Sequence, residues 1–207
     1  MTELGTLFNK YGCDKASKHH YDDVYHPNLM HLRAQPINVL EIGVFKGAST
    51  KAWLDYFPKA TIYGIDTFQR VPMDALDVWS HPRVKLLQAS SQDPNLMFQM
   101  AEAWDHVLFD VIIDDGEHTP DANRRTFLNL INHLVRGGQY YIEDVWPLHL
   151  MNTQQMQHPW VRERPLVYTK SHMDEFLKLV YDRGHTTVEY DLRKKSGEPD
   201  SYIFKVT

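Results

Sequence analysis

FDVIIDDGEHTPDANRRTFLNLINHLVRGGQYYIEDV, residues 109–145, contains two short apolar runs that each end in acids. Val111-Ile112-Ile113 leads into Asp114-Asp115, and Gln139 to Ile142 leads into Glu143-Asp144. Between them, Pro120 to Leu134 is long enough for a helix and sets Ala122, Phe127, Leu130, Ile131 and Leu134 on one apolar stripe. The pattern is strand, helix, strand, with acids at the same end of both strands. In a parallel sheet those ends share one edge, where ligands bind. Asp115, Glu143 and Asp144 are therefore expected to converge, with His118 on the same rim, although 28 positions separate Asp115 from Glu143. Three carboxylates together repel one another unless a cation lies among them. The set points to a divalent metal beside a general base.

The same alternation extends outward from this stretch. Upstream, Ile37–Ile42 is a strand, Gly43 to Gly47 a turn, Ala48–Phe57 a helix and Thr61–Asp66 a second strand. This is a βαβ unit with a right-handed crossover. A third strand is expected over 83–88 and a helix over 93–104, with Asp93-Pro94 as its cap and first position. Residues 68–80 read as a helix or loop covering the site, and 145–170 as irregular. A helix over about 171–183 and two strands, 186–192 and 201–206, close the chain as an antiparallel hairpin at one sheet edge. The expected fold is one α/β doubly wound Rossmann-like domain over residues 1–207, with five parallel strands and the terminal hairpin.

Residues 1–35 read as a short helix over 3–10, capped by Thr2 and stopped at Gly12, then GCDKASKHHYDDVY (12–25), then a helix over about 22–33 ended by Pro36. Periodicity alone makes the middle segment a surface loop. Its density of hydrogen-bonding groups (Asp14, Lys15, Ser17, His19, Tyr21, Tyr25) makes it a candidate lid.

With 207 residues, 43% of them apolar, and a net charge of −5, the chain is an ordinary globular one with no basic footprint for nucleic acid. No apolar run reaches the roughly 18–20 residues that span a bilayer. The N-terminus has no basic start followed by an apolar block. The single Cys13 excludes an internal disulfide. A reducing cytoplasmic location is expected. Aromatic residues over 140–170 are a candidate surface for assembly with further copies.

Glu41-x-Gly43-x-x-x-Gly47 follows the first strand. The glycines permit a tight turn and close approach to a ligand. Asp66, at the end of the second strand, is placed to accept both hydroxyls of a ribose. The spacing is not GxGxxG, which disfavours a dinucleotide and hence a nicotinamide oxidoreductase.

LEIGVFKGAS (40–49), YGIDTF (63–68) and FDVIIDD (109–115) together resemble the nucleotide half of class I S-adenosylmethionine-dependent methyltransferases. That resemblance implies a methionine moiety beside Gly43 and Gly47, a ribose on Asp66, and adenine near Gln88, Ser90 and Ser91. A narrower resemblance adds DKxSxHxY (14–21), IDDGxH (113–118) and IEDV (142–145). It is to the metal-dependent sugar O-methyltransferases of macrolide biosynthesis, of the mycinamicin type. It extends less specifically to the rhamnosyl O-methyltransferase and cephalosporin-hydroxylase-like groups. It implies Mg²⁺ on Asp115, Glu143 and Asp144, with His118 as base. On the cofactor side it implies Glu41, Gly43, Gly47, Asp66, Gln88, Ser90, Asp114, Asp14 and Tyr21, with His19 and Tyr21 closing over cofactor or substrate. The macrolide enzymes carry an additional N-terminal domain without counterpart in these residues, so their substrate is not implied.

The chemistry agrees with that reading. A neutral sugar hydroxyl is a poor nucleophile. Coordination to a cation lowers its pKa, and His118 can then take its proton. The implied function is transfer of a methyl group to a hydroxyl of a glycoside or other polyol-bearing small molecule. The rivals are a cephalosporin-hydroxylase-like tailoring protein and a non-catalytic S-adenosylmethionine-binding subunit.

Overall fold

The computed structural model describes residues 1–163 and 167–207. Helices α1 (Glu3–Lys10), α2 (Asp14–Ser17) and α3 (Asp22–Leu29) precede β1 (Asn38–Ile42), α4 (Ala48–Tyr56) and β2 (Thr61–Asp66). Then come β3 (Val84–Gln88), α5 (Leu96–Trp104), β4 (Phe109–Asp114), α6 (Pro120–Leu130) and β5 (Leu134–Ile142). A small pair, β6 (Trp146–Pro147) and β7 (Val167–Tyr168), flanks α7 (Pro159–Glu163). The chain ends with α8 (Lys170–Asp182), β8 (Thr187–Asp191), α9 (Arg193–Ser196) and β9 (Tyr202–Val206).

The main sheet has seven strands in the order β3-β2-β1-β4-β5-β9-β8. The first five are parallel, and β9 pairs antiparallel with both β5 and β8. This is the expected Rossmann-like arrangement. The last strand, however, lies inside the sheet, between β5 and β8. Its Ile203, Phe204 and Val206 are accordingly fully buried.

The two faces of the sheet carry two cores. Helices α1, α3 and α4 pack Leu4, Phe8, Tyr25 and Trp53 on one face. Helices α5, α6 and α8 pack Met100, Phe127 and Phe176 on the other. Trp53 sits edge-on to Phe8 and Tyr25, with ring centroids 5.0 and 5.3 Å away, so truncating it would cost about 3–5 kcal/mol. The segment over 12–25 is not a surface loop: Lys15, His19, Tyr21, Asp22 and Tyr25 are all buried. Asp22 holds it to α1, its Oδ2 accepting from the Thr2 hydroxyl at 2.8 Å. Thr2 Oγ1 in turn caps α1 by accepting from the Gly5 amide at 2.9 Å.

Two boundaries differ from expectation for identifiable reasons. Helix α5 starts at Leu96 because Asp93 Oδ1 accepts from the Asn95 amide, a local turn that delays the helix. Arg136-Gly137-Gly138 does not end a helix. α6 stops at Leu130, and the glycines lie inside β5 at a register shift against β4. A Cβ on Gly138 would lie 3.0 Å from the Asp110 carbonyl oxygen, so the pair marks a bulge. Gly197, at φ 83°, ends the short α9 in the hairpin connection.

The segment over 145–170, expected to be irregular, contains β6, β7 and α7; its residues 164–166 lie outside the described residues. Tyr140, Tyr141, Trp146 and Tyr168 are buried rather than offered to a neighbour, and Trp160 is exposed. No helix among the described residues is long and apolar enough to cross a membrane.

Candidate active site

The carboxyl ends of β1, β2, β4 and β5 border a cavity of about 590 Å³. One end is walled by Gly43, Phe45, Asp66, Ala89 and Ser90, the other by Asp14, Asp115, His118, Asp144, Trp160 and Asp200. Among the residues expected at the site, Gly43, Asp66, Ser90, Asp14, Asp115, His118 and Asp144 line this cavity. Glu41, Gly47, Gln88, Asp114, Tyr21 and Glu143 do not.

At the first end, the turn after β1 presses against the turn after β4. Gly43 has φ 86°, and a Cβ there would lie 2.0 Å from the Asp115 carbonyl oxygen. The glycine is thus required by backbone contact between two turns, and its bare face borders the cavity. Asp66 accepts from the Phe45 amide at 2.9 Å and the Phe68 amide at 2.8 Å, one on each carboxylate oxygen. Each oxygen keeps lone-pair capacity for a ligand hydroxyl.

Several residues expected on the cofactor side are turned away from the cavity or engaged elsewhere in the fold. Glu41 is fully buried and turned onto α4, accepting from Thr50 Oγ1 at 3.0 Å and Trp53 Nε1 at 3.2 Å. It ties β1 to its helix. Asp114 does the same for β4 and α6: its Oδ2 accepts from Asn123 Nδ2 at 3.0 Å, and Tyr168 donates to Asn123 at 2.7 Å. Burial pushes the Asp114 carboxyl up to about 6. Gln88 points along the surface and donates to the Thr67 carbonyl. Gly47, at φ 72°, caps α4 with Val78 against it. Tyr21 belongs to the acidic end, where its hydroxyl donates to Asp144 Oδ1 at 2.5 Å.

At that end the strand termini bring Asp115, His118 and Asp144 together, with ligand atoms within 4.8 Å of one another. His118 and Asp144 have φ 61° and 53°, and Phe45 across the cavity has φ 49°. Left-handed backbone at non-glycine residues costs roughly 1–3 kcal/mol each and clusters at functional sites. Burial raises Asp144, but His118, His19 and the Tyr21 hydroxyl outweigh it and hold the carboxyl below its usual range. His118 Nε2 lies 3.8 Å from Asp115 Oδ1, and Nδ1 is buried with no hydrogen-bond partner among the described residues.

Repulsion among the acids is relieved in part by the protein itself. Lys15, 3% exposed, donates to Asp115 Oδ2 at 2.6 Å and to Glu143 Oε2. Burial alone would lower its pKa, but Asp115 and Glu143 raise it well above the ordinary value, so the ammonium is retained. Glu143 Oε1 accepts from Tyr25, which leaves both Glu143 oxygens engaged and places it outside the Asp115–His118–Asp144 group. Lys15 was visible in the DKxSxHxY segment without an assigned task. Asp200 and Ser201 were missed, because a polar turn between two strands gives no signal for burial.

The donor set fits a hard divalent cation: Asp115 Oδ1 and Asp144 offer carboxylate oxygens next to open cavity, and such oxygens suit Mg²⁺.

Known proteins of the same kind extend this picture. The chain is 35% identical over 152 residues to the 8-demethyl-8-(2-methoxy-alpha-L-rhamnosyl)-tetracenomycin-C 3'-O-methyltransferase of Streptomyces olivaceus, covering 70% of this chain and 37% of that one. It is 31% identical to the mycinamicin VI 2''-O-methyltransferase of Micromonospora griseorubida, covering 70% and 36%. It therefore spans little more than a third of these relatives. Among solved structures, the MycE methyltransferase of mycinamycin biosynthesis, in complex with Mg and SAH, superposes with a TM-score of 0.71 at 23% identity, over 99% of this chain and 54% of that one. A MycE complex with Mg, SAH and mycinamycin VI gives 0.64 at 26% identity, over 87% and 45%. The methyltransferase-domain family model matches residues 40–145, from within β1 to just past β5, and the chain belongs to that family.

Proposed function

We propose that this protein is an S-adenosylmethionine- and Mg²⁺-dependent O-methyltransferase acting on a hydroxyl of a sugar or other polyol-bearing small molecule. The observation that carries this reading is the meeting of Asp115, His118 and Asp144 at one end of a cavity whose other end holds Gly43 and Asp66. The methyl donor lies along Gly43, Asp66 and Ser90, and the acceptor occupies the end bounded by Asp14, His118 and Trp160. Asp115 and Asp144 would hold the cation, which when bound would lower the pKa of the acceptor hydroxyl. Glu143, closed by Lys15 and Tyr25, anchors Lys15 in this arrangement. His118 Nε2 is placed to take the hydroxyl proton. S-adenosylmethionine, when bound, would supply the methyl group and would depart as the neutral thioether S-adenosylhomocysteine.

All 207 residues act as one unit in this reading, with residues 1–35 walling the acidic end rather than swinging as a lid. The single buried Cys13 suits a reducing cytoplasm. The acceptor is a small glycoside rather than nucleic acid or a membrane, and assembly with further copies is compatible with the exposed Trp160. The relatives named as O-methyltransferases support methylation over a cephalosporin-hydroxylase-like reaction and over a non-catalytic subunit. Calorimetric titration with S-adenosylhomocysteine, followed by incubation of methyl-labelled S-adenosylmethionine with a panel of rhamnosides, tests the proposal. Expected are cofactor binding and an EDTA-sensitive product gain of one methyl. No binding at millimolar cofactor, or turnover indifferent to EDTA, refutes it, and a product gain of oxygen identifies the hydroxylase chemistry instead.

A further inference from the structure

A second group of ligand-type side chains lies beside the first and shares one member with it. His19, Asp144 and Asp200 bring one donor atom each within 4.8 Å of one another. They come from three distant parts of the chain: the turn after α2, the turn after β5, and the connection from α9 to β9. Asp200 is 4% exposed, and its Oδ1 has no hydrogen-bond partner among the described residues. Leaving a buried carboxylate oxygen unpaired costs more than an ordinary lost hydrogen bond. That oxygen faces His19 Nδ1 at 3.6 Å, while Asp144 Oδ1 lies 3.8 Å from the same nitrogen. No Lys or Arg forms an ion pair with Asp144 or Asp200 among the described residues, because Lys15 is taken up by Asp115 and Glu143.

We propose that His19, Asp144 and Asp200 form a second divalent-cation site, bridged to the Asp115 site through Asp144. Donors about 2.1 Å from a tetrahedral cation lie about 3.4 Å apart. The observed 3.6 and 3.8 Å separations need only a small contraction. One imidazole and two carboxylates make the site softer than the oxygen-only set, which favours Mn²⁺ or Zn²⁺ over Mg²⁺. The surroundings are built for this. The Tyr21 hydroxyl fixes Asp144 Oδ1 and also donates to the Asp200 carbonyl at 3.1 Å. The Tyr21 ring stacks on His19 at 4.9 Å. Asp14 lies 3.9 Å from His19 Nε2, on the far side of the ring, where carboxylates orient metal-bound imidazoles. The Ser201 hydroxyl, 2.9 Å from Nδ1, is the group that an arriving cation displaces. Asp144 and Asp200 both border the cavity, which supplies the entry path.

This inference rests on the proposed function only through Asp144. Its test is metal stoichiometry rather than turnover. The full-length, EDTA-stripped protein is titrated with Mn²⁺, and free ion is followed by electron paramagnetic resonance. The expectation is two Mn²⁺ per chain for the parent and one for Asp200→Asn, with His19→Gln as a second variant should the first fail to fold. Asp115→Asn also retains one, held on the other side. An Asp200→Asn protein that keeps the parent's stoichiometry and affinity overturns the second site and leaves the first intact. Loss of one ion in Asp200→Asn but none in Asp115→Asn supports the second site while refuting the first.

Discussion

Replacing Lys15 with Met removes the only ammonium paired with Asp115 or Glu143 among the described residues. The two carboxylates then differ in what they lose. The Asp115 side chain is 27% exposed and can draw on cavity water, whereas the Glu143 side chain is 1% exposed and keeps only the Tyr25 hydroxyl. Removing one partner of a buried ion pair costs about 3–5 kcal/mol. Because only Glu143 is stranded, the lower half of that range, about 3–4 kcal/mol, is expected. In a chain of this size that lowers the melting temperature by roughly 6–15 °C. The pH dependence follows from Glu143. Burial already pushes its carboxyl up, and loss of Lys15 raises it further. The folded variant therefore holds a proton that the unfolded chain releases above about pH 4.5. Its stability falls as pH rises from about 4.5 toward the raised folded value, so the defect shrinks in acid. Thermal melts of parent, Lys15→Met, Glu143→Gln and the double variant in EDTA complete a double-mutant cycle. The double variant should recover at least 2 kcal/mol of the roughly additive loss. Mg²⁺ at a hundredfold excess over its Kd for Lys15→Met should stabilise that variant by about 2–3 kcal/mol, and the same Mg²⁺ concentration should stabilise the parent by less. A Lys15→Met cost below about 1 kcal/mol, or a double variant no better than the sum of its parts, refutes the idea that Lys15 is the built-in counter-ion.

Other outcomes follow from single contacts. Gly43→Ala should destabilise the protein by more than 3 kcal/mol or prevent folding, since its Cβ would meet the Asp115 carbonyl at 2.0 Å and the residue sits at φ 86°. Gly47→Ala, where the nearest neighbour is a Val78 methyl at 3.1 Å, should cost only about 1 kcal/mol by urea denaturation. Equal costs for the two would show that the Gly43–Asp115 contact is not limiting. Asp66→Asn should weaken S-adenosylhomocysteine binding tenfold or more in calorimetry while leaving the fold intact, because charge-assisted hydrogen bonds are worth about 1.5–3 kcal/mol; an unchanged Kd removes Asp66 from the ribose role. Cys13, whose thiol burial pushes up to about 12 from an ordinary 9.0, should resist disulfide reagents at pH 8 in the native protein and react promptly in denaturant. The folded thiol keeps its proton where the unfolded one loses it, so stability falls as pH rises from 9 toward 12, and Cys13→Ala should flatten that slope.

The strands and their parallel pairing were legible because each half of the sheet is written locally: an apolar run, a terminal acid and an amphipathic helix recur along the chain, and parallel pairing follows from the crossovers. The cavity edge was legible for the same reason, since Gly43, Asp66, Asp115 and Asp144 all stand at strand ends. What could not be read is which way a side chain turns. Glu41 and Asp114 occupy the same kind of position as Asp66 and Asp115, but they alternate to the buried side of their strands and hydrogen-bond α4 and α6. Residue type at a strand end therefore does not separate a ligand from a helix tie; that depends on the parity of the strand and on a partner such as Trp53 or Asn123 being in reach. The acidic end depends on still longer contacts. Lys15 meets Glu143 across 128 positions and His19 meets Ser201 across 182, and neither element shows a periodic pattern that foretells the meeting. The segment over 12–25 has the polar composition of a water-facing loop. Lys15, His19 and Tyr21 face carboxylates instead, and a polar segment that finds charged partners can be buried as fully as an apolar one. The local patterns thus set out the cofactor edge, while the charge balance of the acidic end is decided by the N-terminal segment and the loop before β9, which only the folded chain brings together.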